Sequence, residues 1–272
     1  MSDSLPSDSL PGGPLPGGPL LSVRGLTKRY GARLACDGID LALDPGEVLA
    51  VVGESGSGKS TLLGLIAGEV AADAGSVAYR MRDGTTRDLA DLGAAERRAL
   101  MRTDWGFVRQ DAAQGLRMAV TAGGNVGERL MGVGERHYGR IRAAALDWLA
   151  RVEIAADRVD DPPTRFSGGM RQRLQIARNL VTAPRLVLMD EPTSGLDVSV
   201  QARLLDMVRG LVAELGLAVI IVTHDLAVAR LLSHRVLVMR AGRVIETGLT
   251  DQVLDDPQAA YTQLLVSSVL AA

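Results

Sequence analysis

The chain has 272 residues, 47% of them apolar, and a formal net charge of −2, which fits one sizeable globular domain or one domain carrying an inserted lobe. That near-neutral balance lacks the basic excess of a generic nucleic-acid binder, so no nucleic acid partner is expected. No apolar run approaches the roughly 20 residues that span a bilayer, and the single cysteine, Cys36, excludes an internal disulfide and fits a reducing, cytoplasmic setting.

Met1 to Pro19 repeats Ser-Leu-Pro and Gly-Gly-Pro-Leu units. Pro and Gly at this density prevent regular backbone pairing, so a disordered tail is expected. It lacks the basic start and continuous apolar core of a secretory signal. Leu20 to Val23, Ile39 to Leu43 and Gly75 to Tyr79 read as strands of an antiparallel edge sheet. Glu47 to Val52 is an apolar, β-branched run that suits a buried parallel strand. A helix is predicted from about Lys59 to Ala67, and a charged one over Ala94 to Met101.

Trp105 to Arg109 reads as a strand. From about Asp111 to Ala183 helical periodicity takes over, which predicts an inserted helical subdomain over about residues 111–183. Strands and helices then alternate: Leu186 to Met189, Val200 to Leu215, Ala218 to Thr223, Leu226 to Leu232, Arg235 to Met239 and Val244 to Thr247, with a helical end. Such alternation predicts an α/β fold with a mainly parallel core sheet covered on both faces.

Only Lys28 and Lys59 are lysines among thirty basic residues, and Lys59 sits in a glycine-rich loop. Gly53-Glu54-Ser55-Gly56-Ser57-Gly58-Lys59-Ser60, followed by Thr61, fits G-x-x-x-x-G-K-[ST] between a buried strand and a helix. Glycines let successive N–H groups converge on an anion, and the helix N-terminus adds its positive dipole end. Lys59 can reach the β- and γ-phosphates of a nucleoside triphosphate, and the Ser60 hydroxyl can ligate Mg²⁺.

Leu186-Val187-Leu188-Met189 runs directly into Asp190-Glu191. Emerging together at a strand end, Asp190 can hold Mg²⁺ and Glu191 can accept a proton from an attacking water. His224 follows the strand ending at Thr223, and Gln110 follows the Trp105 strand. Parallel strands deliver both to the carboxyl edge of the sheet, where ligands bind in open α/β folds. There His224 can contact the γ-phosphate and orient Glu191, and Gln110 can reach Mg²⁺ or the attacking water. Cys36 has no activating neighbour and reads as structural.

Phe166-Ser167-Gly168-Gly169-Met170, continued by Arg171-Gln172-Arg173-Leu174, resembles the signature of the ATP-binding-cassette (ABC) family. Ser167 can cap the following helix, and Gly168 and Gly169 let a phosphate approach the backbone. Met170 stands where the signature usually has Gln, and Phe166 where it has Leu. The remaining motifs appear in family order across residues 20–272. The resemblance implies a P-loop NTPase fold in which two chains sandwich two ATP molecules. It implies that Tyr30 stacks on adenine, that Ser167 to Gly169 engage the partner's γ-phosphate, and that Asp197, in Ser194-Gly195-Leu196-Asp197, bridges the two sites.

Gly115 to Met131, with His137-Tyr138-Gly139 beyond, resembles the ATPase subunits of the phosphonate carbon–phosphorus lyase system, as do Ile176 to Thr182 and Tyr261 to Val269. That resemblance implies a dimer docked on the soluble lyase core complex. Two other readings stand beside it. Phe-Ser-Gly-Gly-Met also resembles peptide-importer ATPases, which serve a membrane permease. A regulatory clamp that uses ATP only as glue would need neither Glu191 nor His224.

Overall fold

A computed structural model describes residues 18–270. The disorder expected of Met1 to Pro19 falls, apart from Gly18 and Pro19, outside the described residues.

The described residues form two sheets and ten α-helices. The first sheet holds β1 (Leu21–Tyr30), β2 (Arg33–Leu43), β4 (Ala74–Arg80) and β5 (Thr86–Asp88) in the order β2-β1-β4-β5, all antiparallel. The second holds β3 (Val48–Val52), β6 (Trp105–Val108), β7 (Leu186–Asp190), β8 (Ala218–Thr223), β9 (Arg235–Arg240) and β10 (Arg243–Leu249), in the order β10-β9-β3-β8-β7-β6. Its strands run parallel except for β10, a hairpin partner of β9 at one edge.

The continuous apolar runs are explained by two-sided burial. Val48, Ala50 and Val52 of β3 face one core; Leu49 and Val51 face the other. Strands β7, β8 and β9 alternate in the same way, so residue parity alone decides which core each side chain enters. One core packs under α5 (Tyr138–Arg151), α6 (Gly168–Leu180), α7 (Val198–Leu215) and α8 (Leu226–Leu232). The other is closed by the antiparallel sheet with α1 (Lys59–Ile66) and α2 (Ala94–Thr103).

Between β6 and β7 the chain makes α3 (Ala112–Gly115), α4 (Ala122–Gly132), α5 and α6, with no strand. It ends in α9 (Thr250–Asp255) and α10 (Ala260–Leu270). No helix among the described residues is long and apolar enough to cross a membrane.

Three differences from the sequence expectation have physical causes. Strands β1 and β2 run on to Tyr30 and from Arg33 through polar residues, with register shifts where Gly25 (φ 57°) lies; a bulge breaks the alternation that would have marked the strand. Strand β5 is three polar residues, too short to show a period. Helix α7 begins at Val198, two residues earlier than predicted, because Asp197 caps it by accepting from Val200 N at 3.0 Å.

Candidate functional site

The parallel register brings the ends of β3, β8, β7 and β6 to one edge of the sheet, in adjacent positions. From these ends project the Gly53–Ser60 loop, His224, Glu191 and Gln110. They line one cavity of about 760 Å³ with Tyr30, Arg33, Thr61 and Leu265.

The loop is held by close backbone packing. A Cβ on Gly53 (φ 147°) would lie 2.1 Å from the Met239 carbonyl, and one on Gly58 (φ 108°) 2.0 Å from that of Ala35. No other residue type fits either place. Lys59, only 5% exposed, folds back so that Nζ donates to the Gly53 carbonyl at 2.7 Å and the Glu54 carbonyl at 2.9 Å. Burial pulls its pKa down, while the charges of Glu191 and Asp190 oppose that shift. A buried cation gripped only by neutral carbonyls is arranged to receive an anion.

Ser60 Oγ donates to Asp190 Oδ1 at 3.0 Å. Burial raises the Asp190 carboxyl above its ordinary value and Glu191 adds to the rise, against the Ser60 hydrogen bond and the Lys59 charge. A hydroxyl and a carboxylate oxygen side by side are oxygen donors of the kind that fit a hard divalent cation. The described residues hold no group of three or more His, Cys, Asp and Glu arranged for a metal.

Glu191 adopts φ 42°, a left-handed backbone rare for a residue with a side chain. Its N–H donates to the Val222 carbonyl at 2.9 Å, which ties the turn to β8. The carboxylate is held from two sides. His224 Nδ1 lies 3.1 Å from Oε1, and Gln110 Nε2 donates to Oε2 at 3.3 Å and to Ser194 Oγ at 3.2 Å. Backbone strain at such a residue is typical of a working site.

The signature residues lie elsewhere. Ser167 caps α6 by accepting from Met170 N at 3.2 Å. A Cβ on Gly169 would come within 2.5 Å of Val200 Cγ1. Gly168 lines a separate depression of about 330 Å³ with Gln110, Ser194 and Gly195. Asp197, whose carboxyl is held low by the Val200 N–H and the Ser199 hydroxyl, is engaged in capping α7. A single chain thus unites Tyr30, the loop, Gln110, Asp190, Glu191 and His224, and leaves Ser167, Gly168, Gly169 and Asp197 outside that cavity, with Gln110 lining both it and the Gly168 depression.

Sequence reasoning missed Ser194 as a partner of Gln110. It also missed Arg33, which donates to the Gly56 carbonyl, and Leu265 on the last helix. Ser194 and Leu265 lie in stretches that carry the family resemblance, but no sequence signal gives either of them, or Arg33, a place at the site; that comes from the fold.

The family model described as "ABC transporter" matches residues 36–194. The chain is 62% identical over 251 residues to "Putative phosphonates utilization ATP-binding protein PhnK" of Escherichia coli (strain K12), covering 92% of this chain and 98% of that one. It is 38% identical to a putative peptide import ATP-binding protein of Brucella melitensis (92% and 77% covered). It is 40% identical to the oligopeptide transport ATP-binding protein OppF of Salmonella typhimurium (86% and 69% covered). Among solved structures, a dimeric ATP-binding cassette in a post-hydrolysis state bound to ADP and Pi superposes with a TM-score of 0.75 at 30% identity, covering 85% and 98%. With the phosphate loop, the clamped glutamate and these relatives in view, the chain belongs to the ABC family of ATP-hydrolysing cassettes.

Proposed function

We propose that this ATPase works as a dimer on the soluble core complex of a phosphonate carbon–phosphorus lyase system in the cytoplasm, and that Mg²⁺-ATP is its substrate. The observation that carries the reading is the 62% identity, over nearly the full length of both chains, to a relative named for phosphonates utilization. The peptide-import relatives stand at 38–40%.

In each site the Gly53–Thr61 loop, with Lys59, cradles the phosphates, and Tyr30 stacks on the adenine. Ser60, Asp190 and Gln110 are the residues that hold Mg²⁺, which when bound neutralises phosphate charge. Glu191 takes the proton of the attacking water; His224 and Gln110 hold that carboxylate in place. Ser167, Gly168, Gly169 and Asp197 serve the ATP of the second chain. Their placement outside the cavity supports this assignment, as does the dimeric state of a solved relative.

Residues 111–183 form the helical subdomain through which closure is transmitted. A groove of about 680 Å³ runs between this lobe and α2, lined by Arg97, Arg98, Arg102, Arg109, Arg129 and Arg178. It supports docking on a partner surface with carboxylates to offer. Nothing in this chain supplies the cysteine cluster of an iron–sulfur radical enzyme, so cleavage of the carbon–phosphorus bond falls to the partner.

A peptide-type importer is the second reading, favoured by the 38–40% relatives. The test is purification of tagged Glu191→Gln protein with ATP from its native host, followed by mass spectrometry. Co-purified soluble lyase subunits without permeases bear the proposal out. Integral membrane permeases instead overturn it and leave the ATPase assignment standing.

A further inference from the structure

Helix α10 packs against the nucleotide loop. Tyr261, 6% exposed, accepts at its hydroxyl from the Glu54 backbone N–H at 3.2 Å. Glu54 is the second residue of the loop, immediately after Gly53, whose own backbone lies flush against the Met239 carbonyl of β9. One residue on, the Arg240 guanidinium lies 4.7 Å from the centre of the Tyr261 ring. The end of β9, the start of the loop and the first turn of α10 therefore meet at one junction.

The helix is fixed there from its other side. Glu246 of β10 accepts from the N–H groups of Gln258 at 2.9 Å and Ala259 at 3.0 Å, just ahead of α10. One turn beyond Tyr261, Leu265 lines the same cavity as Tyr30, Lys59 and Glu191, while its neighbour Leu264 is 63% exposed.

We propose that α10 is a working part of the nucleotide site, Tyr261 being a positioning residue for the start of the phosphate loop and Leu265 an apolar contact for bound nucleotide. The loop's N–H groups bind phosphate only if their directions are fixed beforehand, and a loop rich in glycine has no intrinsic preference for that conformation. The Tyr261 hydroxyl removes one freedom at the point where the loop leaves β3. Lys59 grips the Gly53 carbonyl, which shares one planar peptide unit with that N–H, and the Glu54 carbonyl of the next unit, so tilting the Gly53–Glu54 peptide moves the cation as well. The contribution lies in ground-state binding, not in the chemical step, because the Tyr261 hydroxyl is bonded to the loop backbone and not to Glu191 or His224, and Leu265 has no polar group to offer the reaction.

The proposal rests on the ATP-site reading, and the experiment separates the two. Nucleotide affinity is measured by titration with ATP in the Glu191→Gln background. In the otherwise wild-type chain, KM, kcat and the melting temperature are measured alongside. Tyr261→Phe keeps the ring and its stacking on Arg240 and removes the hydroxyl alone. One net hydrogen bond corresponds to about twofold to tenfold in affinity, so Kd and KM rise by that factor while kcat stays within about twofold. Leu265→Ala raises KM similarly, and Leu264→Ala on the outer face of the same helix leaves it unchanged.

Unaltered Kd and KM in both Tyr261→Phe and Leu265→Ala, with Lys59→Ala still weakening ATP, overturns the role of α10 and spares the site. So does an equal fall in kcat in the two variants together with a drop in melting temperature, which marks a merely structural helix. Unaltered ATP affinity in Lys59→Ala as well overturns the site reading itself.

Discussion

His224 Nδ1 stands 3.1 Å from the Glu191 carboxylate, across the gap between the ends of β8 and β7. With Gln110 on the other oxygen, the proposed base is clamped before any substrate arrives. Phosphoryl transfer depends chiefly on such positioning and on charge stabilisation. Glu191→Gln is therefore expected to retain ATP binding, to accumulate a closed dimer and to lose turnover by ~10²–10³ or more. Size-exclusion chromatography with ATP and a phosphate-release assay check both halves. Wild-type turnover in this variant would show that another group takes the proton. His224→Ala lowers kcat with less effect on ATP affinity, because the imidazole acts through Glu191.

Ser60, which lines the cavity, shares a 3.0 Å hydrogen bond with Asp190. If they are the protein's contribution to Mg²⁺ binding, Asp190→Asn raises the Mg²⁺ concentration needed for half-maximal turnover by roughly tenfold or more, the loss of about one charge-assisted contact. Binding of nucleotide in EDTA changes little. An unshifted Mg²⁺ titration would remove Asp190 from the metal set.

Much of this site was legible because its determinants are local. The loop is spelled by Gly53, Gly58 and Lys59, each fixed by a steric or charge requirement at one position, and Asp190-Glu191 breaks an otherwise apolar strand. The unbroken apolar run of β3 and the alternation of strands with helices also predicted a parallel sheet covered on both faces. What was not legible depends on residues far apart in the chain. Tyr261 meets Glu54 across 207 positions, and Ser194 meets Gln110 across 84; the motifs that hold Glu54 and Ser194 do not say which distant residue each will meet. The polar stretches of β1 and β2 were missed because their pairing is interrupted at Gly25, so strand periodicity is lost where the backbone bulges.

Cys36 is fully buried, and desolvation pushes its thiol up to about 11. The thiolate is the reactive form, so Cys36 in the folded protein should resist thiol reagents at pH 8 and react fully in denaturant. Mass spectrometry after brief alkylation checks this. Cys36→Ala removes a small buried side chain of β2 and its weak Sγ contact with the Gly58 carbonyl at 3.8 Å; the loop remains packed on the Ala35 and Met239 carbonyls, so kcat stays near wild type with a modest loss of stability of about 1 kcal/mol. Rapid labelling of native protein would show that the β2 edge opens far more readily than its burial implies.

Asp104, whose side chain is 3% exposed, joins the two sheets: it accepts from Tyr79 Oη at 2.8 Å and from Arg185 Nη2 at 2.6 Å. Burial on its own would raise this carboxyl, but the hydrogen bonds from Arg185 and Tyr79 prevail and hold it below its ordinary value. A carboxyl depressed in the folded state stabilises the protein above its unfolded pKa, about 3.9. That stability is lost as pH falls through the folded value. Asp104→Asn leaves Arg185 without a counter-charge, and breaking a buried pair in this way costs about 3 kcal/mol. The melting temperature of the variant should therefore lie roughly 5–10 °C below wild type between pH 5 and 8. The gap begins to narrow as pH falls below the unfolded value of about 3.9 and closes further as it passes the lower folded value, where the native carboxyl takes up a proton and loses the same interaction. Thermal unfolding across that range is the measurement. A gap that stayed constant down to pH 3 would mean that the packing of Asp104, and not its charge, holds the sheets together.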